Sequence, residues 1–426
     1  MKGVTQDSLL KKITENYLKS DQYNGTSLAA LLREVDKETG VECLVELINK
    51  DLVSVIYGDF HPNPHIKALP DEPKESQIAK LYTDKFKQGC VYSLKKYLET
   101  VVDKSEFSDR PFELCLALGE PQLAYKPFEL SVLEYYRNDP RYYYQEDGIS
   151  GSICIGDEDY KKEDMKESDK ILLETFGFGY NEDLSIRAVV VFLRYLSNLS
   201  PEHQQIWKGK ELSETINIHP GYYETAVLGR WPERGSIFAA FIEELRIIND
   251  MAKCMGRPPF FRKDFRDIDK PKEFAFLLRP TLKEYNDFIL LLDKLISDNI
   301  KIEFFNKEVS IEYEEIRKDG KVVLRHKGSL RILEEWIETW TIFEGKDELR
   351  QMFEVLRKVR RARMNPAHEI DENVFDQQYY KKQRELMKDV YIAVKTIRTL
   401  FGGVPMVKSK DIEISEYVRE GKIWHS

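Results

Sequence analysis

Two arginines and one histidine in the C-terminal third of the chain have residue types and spacing that could do chemistry. Arg361 and Arg363 precede His368, with Asn365 and Pro366 in between. Histidine suits proton transfer because its unperturbed pKa lies near neutrality. Arginine suits a phosphate because its planar guanidinium stays charged and can donate two parallel hydrogen bonds. These residue types together could cleave a phosphodiester bond without a metal ion.

A helix, a break and a second helix should position these side chains. The first helix is predicted over 347–364, and its apolar residues lie on one face that continues to Arg363. That face consists of Leu349, Met352, Phe353, Leu356 and Val359. Asn365 precedes a proline, which disfavours the α region, so the helix should end there. A second helix is predicted over 373–401, and we therefore expect Arg363 and His368 to lie close together.

Five cations occur between residues 357 and 363, with no acidic residue among them. A basic cluster on an otherwise acidic protein indicates a surface that contacts nucleic-acid phosphates. A solvated helix end explains the same cluster, because the negative end of the helix dipole favours cations. The residues predicted to bind the nucleic acid are Arg357, Lys358, Arg360 and Asn365.

The segment Arg363-Met-Asn-Pro-Ala-His368 resembles the signature of HEPN domains, an arginine followed after four to six residues by a histidine. Arg361 fits the same signature. HEPN domains are helical bundles, and many are metal-independent ribonucleases in bacterial defence, toxin and CRISPR-associated proteins. The resemblance implies that His368 is the acid or base, and that Arg363 or Arg361 binds the phosphate.

The same resemblance implies further properties of the protein. It predicts an endoribonuclease of bacterial stress or anti-phage defence that attacks through the RNA 2′-hydroxyl and leaves a 2′,3′-cyclic phosphate. No metal and no cofactor are expected. Because one copy supplies only one histidine, we expect a homodimer with a composite site. The alternative is a non-catalytic helical scaffold or regulator that binds protein or nucleic acid.

The region over 280–404 is predicted to form a four-helix, HEPN-like bundle with an inserted β-hairpin. Its first helix, over 281–299, starts with the capping box from Thr281 to Glu284. Alternating apolar residues after Val309 and a turn at Gly320 predict the hairpin. The remaining helices are predicted over 329–341, 347–364 and 373–401.

The rest of the chain divides into three predicted parts. Residues 1–75 read as three helices and a strand at 52–57, which resembles a winged helix. Because acidic residues outnumber basic ones there, we expect this module to contact protein rather than DNA. Residues 76–279 are predicted to be a helical middle domain of unknown role, with helices over 162–175, 186–199 and 236–255. Residues 405–426 form a tail, and the fold class expected is mainly α with small β elements.

Composition limits the other possibilities. The chain has 426 residues, a net charge of −9 and five scattered cysteines, which fits reduced thiols in the cytoplasm. No stretch is apolar enough to cross a membrane, and the N-terminus lacks the pattern of an export signal. His61 and His65 are separated by two prolines, which exclude a shared helix face, so no metal site is predicted.

Overall fold

The computed structural model describes residues 5–59, 61, 63–67, 72–184, 186–231, 233–265, 270–305, 307–339, 345–364 and 372–425. The chain divides into two compact units. The first comprises Met1–Tyr144 and Ser152–Gly229, and the second comprises Gln145–Gly151 and Arg230–Ser426. The domain boundaries predicted near residues 75, 279 and 404 stay predictions.

The first unit begins with a small antiparallel sheet and the helices around it. The helices are α1 (Gln6–Lys19), α2 (Leu28–Leu31), α3 (Lys37–Asn49), α4 (Lys74–Leu81) and α5 (Lys95–Val101). The strands are β1 (Thr26–Ser27), β2 (Val53–Tyr57) and β3 (Gly89–Ser93), in the order β1-β3-β2. The three predicted helices and the predicted strand are therefore present, and the likeness to a winged helix stays a prediction.

A larger, six-stranded sheet occupies the middle of the chain. Its strands are β4 (Tyr125–Glu129), β5 (Tyr142–Glu146), β6 (Ser150–Ile155), β7 (Leu172–Tyr180), β8 (Arg187–Phe192) and β9 (Asn217–Ile218). The order is β4-β8-β7-β6-β5, and β9 pairs with β7. Strand β8 is antiparallel to both β4 and β7.

This sheet shows that the predicted fold class, mainly α, is wrong. About 49% of the structure is helical and 16% is strand, so the protein is a mixed α/β protein. Strand β7 begins within the helix predicted over 162–175, and β8 takes up the start of the helix predicted over 186–199. Every residue from Ala188 to Phe192 is buried, so β8 lacks the alternation of a half-exposed strand. Periodicity alone does not distinguish such an apolar run from a buried helix.

Short helices complete this part of the chain. They are α6 (Pro111–Ala117), α7 (Glu134–Arg137), α8 (Asp157–Tyr160), α9 (Leu193–Leu196), α10 (Pro201–Lys208) and α11 (Pro220–Ala226). The buried ring of Tyr222 on α11 packs directly over Gly177 in β7. A Cβ atom at residue 177 would lie 2.0 Å from Cδ1 of Tyr222, so only glycine allows this contact.

The second unit is mostly helical. Its helices are α12 (Ile237–Cys254), α13 (Leu282–Leu295), α14 (Ser329–Glu338), α15 (Lys346–Met364), α16 (Gln378–Gly402), α17 (Pro405–Lys408) and α18 (Glu416–Glu420). Strands β11 (Glu312–Ile316) and β12 (Val322–His326) form the predicted hairpin. Strands β10 (Gly235–Ser236) and β13 (Ile423–Trp424) pair in parallel.

The prediction of a four-helix bundle over 280–404 is also wrong. Helix α16 packs against α13 and α15, but its most extensive contact is with α12, which the sequence had placed in the middle domain. Glu244 of α12 is fully buried, and its Oε2 lies 2.5 Å from Nε of Arg398 on α16. None of the helices in the described residues is long and apolar enough to span a membrane.

Protonation of His219 should make the stability of the protein depend on pH. Nδ1 of His219 accepts a hydrogen bond from the Gly221 N–H at the start of α11. Burial, together with nearby Arg187, lowers the pKa of His219 to about 4. The unfolded imidazole has a pKa of about 6.5, so the unfolded state binds the proton first as the pH falls. Stability should therefore be lost between about pH 6.5 and 4, by up to about 3 kcal/mol.

Urea unfolding of the wild type and of His219→Asn between pH 7 and 4 measures this loss. The asparagine keeps an acceptor for the Gly221 N–H but does not titrate. The variant should therefore show a smaller fall in unfolding free energy over that range. Equal falls in the two proteins would contradict the assignment.

Candidate functional site

Helix α15 carries the cations that the sequence analysis singled out. Met352, Phe353, Leu356 and Val359 are buried on one face, as predicted. The helix packs against α13, α14 and α16 through its apolar residues. One turn beyond Val359 this face reaches Arg363, whose side chain is 34% exposed. The apolar face thus directs one guanidinium towards α13.

The guanidinium of Arg363 binds two carboxylates. Its Nη1 lies 2.6 Å from Oδ2 of Asp293 and 2.5 Å from Oδ2 of Asp298. Asp293 is fully buried, whereas Asp298 is 39% exposed. The hydrogen bonds to Asp293 and Asp298 raise the pKa of Arg363 further, so it stays charged. Arg363 therefore fastens the end of α15 to α13.

Asp293 was missed by the sequence analysis, although the sequence contains a signal for it. It follows Ile289 by four residues and precedes Ile296 by three, so it lies on the apolar face of α13. A carboxylate in that position is costly to bury unless a cation pairs with it. Arg363 lies at the end of the apolar face of α15, so the sequence also contains the cation that pairs with Asp293.

The three cations predicted to bind RNA also face carboxylates. Arg357 pairs with Glu334 of α14. Lys358 lies 3.8 Å from Asp389 of α16. Arg360 lies 3.7 Å from Asp298. Since all these side chains are at least partly exposed, the pairs contribute little to stability, but they lower the positive charge of the surface.

Arg361 differs from these four cations. It is exposed in the last turn of α15 and forms no ion pair with any described residue. An anion from solvent can therefore reach this guanidinium without displacing a carboxylate of the described residues. Asn365 and His368 lie outside the described residues. The predicted proximity of His368 to either arginine stays a prediction.

His65 and Cys90 form a second combination of reactive residue types. Nδ1 of His65 lies 3.6 Å from Sγ of Cys90. Burial raises the pKa of Cys90 to about 11, so the thiol stays protonated near neutral pH. A protonated thiol is a poor nucleophile and a poor metal ligand. Among the described residues, no group of three or more potential ligands could hold a metal ion.

The chain was compared with protein-family models, with curated proteins and with solved structures, and none of them matches. The likeness to HEPN domains therefore depends on the arginines at the end of α15 and on His368. The two arginines are in different environments, since Arg363 binds two carboxylates and Arg361 is exposed. An arginine that binds two carboxylates can hold the end of a helix, whereas an exposed arginine can bind a ligand from solvent.

Replacement of Arg363 should destabilise the protein. Arg363→Ala leaves the buried carboxylate of Asp293 without a cation, and breaking a buried ion pair in this way costs about 3 kcal/mol. Arg361→Ala is the matched control, since it removes an exposed cation two residues away and should cost less than about 0.5 kcal/mol. Urea unfolding of both variants measures the difference.

A second replacement tests the cause of that loss. Asp293→Asn in the Arg363→Ala background removes the unpaired charge and should recover part of the lost stability. If Arg363→Ala is as stable as Arg361→Ala, Asp293 does not depend on Arg363.

Proposed function

We propose that this protein is a metal-independent endoribonuclease of the HEPN type. The observation that carries the proposal is the exposed guanidinium of Arg361 in the last turn of α15, with six residues between Arg361 and His368 in the sequence. This spacing satisfies the arginine–histidine signature. The guanidinium is also open to solvent, as a ligand for an RNA phosphate needs to be.

The two arginines have different roles in this proposal. Arg363 already donates to Asp293 and Asp298, so much of its hydrogen-bonding capacity and charge is in use. A guanidinium that binds a phosphate needs donors free to form the charge-assisted pair. We therefore assign the phosphate to Arg361, and to Arg363 the positioning of the helix end. The sequence alone left this choice open.

The reaction needs two proton transfers and stabilisation of one developing charge. A base removes the proton of the 2′-hydroxyl, whose oxygen attacks the adjacent phosphorus. Arg361 stabilises the negative charge on the phosphorane oxygens. An acid then protonates the departing 5′-oxygen, which leaves a 2′,3′-cyclic phosphate and a 5′-hydroxyl. His368 supplies one of these transfers, and the His368 of a second copy supplies the other, so the active form is a homodimer.

The N-terminal part of the chain serves a different partner in this proposal. Glu38, Glu42 and Glu46 follow one another at one-turn intervals on α3, and all three are exposed. Such a face repels the phosphates of DNA or RNA and favours a protein partner. The module would then control a cytoplasmic nuclease of stress or anti-phage defence.

A non-catalytic scaffold or regulator is the second candidate function. The observation that favours it is the pairing of Arg357, Lys358, Arg360 and Arg363 with carboxylates. Cations paired in this way contribute to the packing of a helix end and attract RNA only weakly. Such a protein would bind its partners without cleaving RNA.

Cleavage of RNA by the purified protein separates the two functions. His368→Ala should reduce the rate about 100-fold or more through loss of proton transfer. Arg361→Ala should reduce it by a similar factor through loss of charge stabilisation. Arg350→Ala, which removes an exposed cation from the start of α15, should leave the rate unchanged. The assay follows a fluorescent RNA in the presence of EDTA and identifies the cyclic phosphate end by mass spectrometry.

Two results would count against the nuclease. One is an equal rate for His368→Ala and the wild type, and the other is loss of all cleavage in EDTA. RNA or protein binding that persists in His368→Ala, with no cleavage by the wild type, would favour the scaffold. Unfolding curves of each variant exclude the loss of folding as the cause.

A further inference from the structure

The carboxylate of Asp298 lies between two guanidiniums. Its Oδ1 is 3.7 Å from Nη1 of Arg360, and its Oδ2 is 2.5 Å from Nη1 of Arg363. All three side chains are partly open to solvent. Two arginines on either side of one oxyanion form the arrangement by which proteins bind a phosphate. Asp298 therefore occupies the place that a phosphate oxyanion could take.

Asp298 and Asp293 hold Arg363 in different ways. Asp293 belongs to α13 and is completely buried, so water and ligands do not reach its carboxylate. Asp298 follows the end of α13, where its backbone N–H donates to the carbonyl of Asp293. The Asp298 side chain is exposed and can move away without unfolding the helix. One carboxylate is thus a permanent anchor for Arg363, and the other can be displaced.

We propose that Arg360 and Arg363 form a phosphate-binding subsite that Asp298 closes in the free protein. A phosphodiester of single-stranded RNA displaces the Asp298 carboxylate and takes its place between the guanidiniums. This inference rests on the proposed function, since the subsite lies on the same helix end as Arg361. It adds a regulatory step, because the internal carboxylate competes with the substrate.

Charge and position both support this competition. The negative end of the α13 dipole lies next to Asp298 and disfavours a carboxylate there, so this side chain depends on the two arginines. Exposed ion pairs of this kind are weak and are screened by salt. Arg363 remains held by Asp293 when Asp298 leaves, so the subsite stays in place. Displacement would free Arg360 and Arg363 on the helix end that also carries Arg361.

Asp298→Asn tests the proposal in the full-length chain. The asparagine has nearly the same shape as the aspartate but carries no charge, so the subsite should be open. A fluorescent single-stranded RNA should bind about fivefold more tightly, the effect of one nearby charge in water. The slope of the logarithm of the RNA association constant against the logarithm of salt concentration should become more negative by about 0.7. This is the value for one additional phosphate contact on a single strand.

Asp389→Asn is the matched control. Asp389 lies on α16 and faces Lys358 of α15. Its replacement changes the net charge of the protein by the same amount as Asp298→Asn. RNA affinity should rise much less in this variant. Arg360→Ala in the Asp298→Asn background should abolish the gain. Unfolding curves show that each variant is folded, and Asp298→Ser serves as a second variant without the charge.

The results distinguish this inference from the proposed function. If the wild type cleaves RNA but Asp298→Asn and Asp389→Asn bind it equally, the closed subsite is wrong and the nuclease stands. If neither the wild type nor Asp298→Asn binds or cleaves RNA, both proposals are wrong. Tighter binding in Asp298→Asn alone, lost with Arg360→Ala, supports the subsite.

Discussion

The buried carboxylate of Asp293 is the constraint on which the candidate site depends. An unpaired carboxylate in the interior costs several kcal/mol even after the protein relaxes. Within the described residues the only cation that pairs with it is Arg363, whose Nη1 lies 2.6 Å from Oδ2. The end of α15 is therefore held against α13, and Arg363 has an environment unlike that of its exposed neighbour Arg361. Arg363 is therefore anchored by a carboxylate that a ligand does not reach, whereas Arg361 is open to solvent.

A second buried pair fixes the neighbour of α16. Glu244 lies on the apolar face of α12, three residues after Phe241 and four before Ile248, and burial raises its pKa. Arg398 of α16 supplies the compensating charge. Because hydrophobic contacts alone are non-directional, such a pair specifies which faces of two helices meet. This contact joins α12 to helices that the sequence had assigned to another domain.

Helices with one apolar face could be predicted from the sequence, and so could the short buried strand β2, whereas the buried strand β8 could not. The spacing of Phe241, Leu245 and Ile248 in α12 and of Leu356 and Val359 in α15 matches the helical period, and both helices are present. In β8 the residues around Val190 are buried on both sides, so the period of two is lost. The predicted fold class was therefore wrong because burial on both sides of β8 removed the alternation that identifies a strand.

The candidate site could be predicted only in part, for a related reason. The cations of α15 adjoin one another in the sequence, whereas their carboxylates come from α13, α14, α16 and the segment after α13. A run of cations in a sequence therefore overstates the positive charge that a ligand meets. Four of the five cations face four carboxylates and Arg361 pairs with none of the described residues, which leaves a small excess of positive charge at the helix end. Any polyanion that binds there must compete with side chains of the protein itself, so its affinity is set by that competition and by salt.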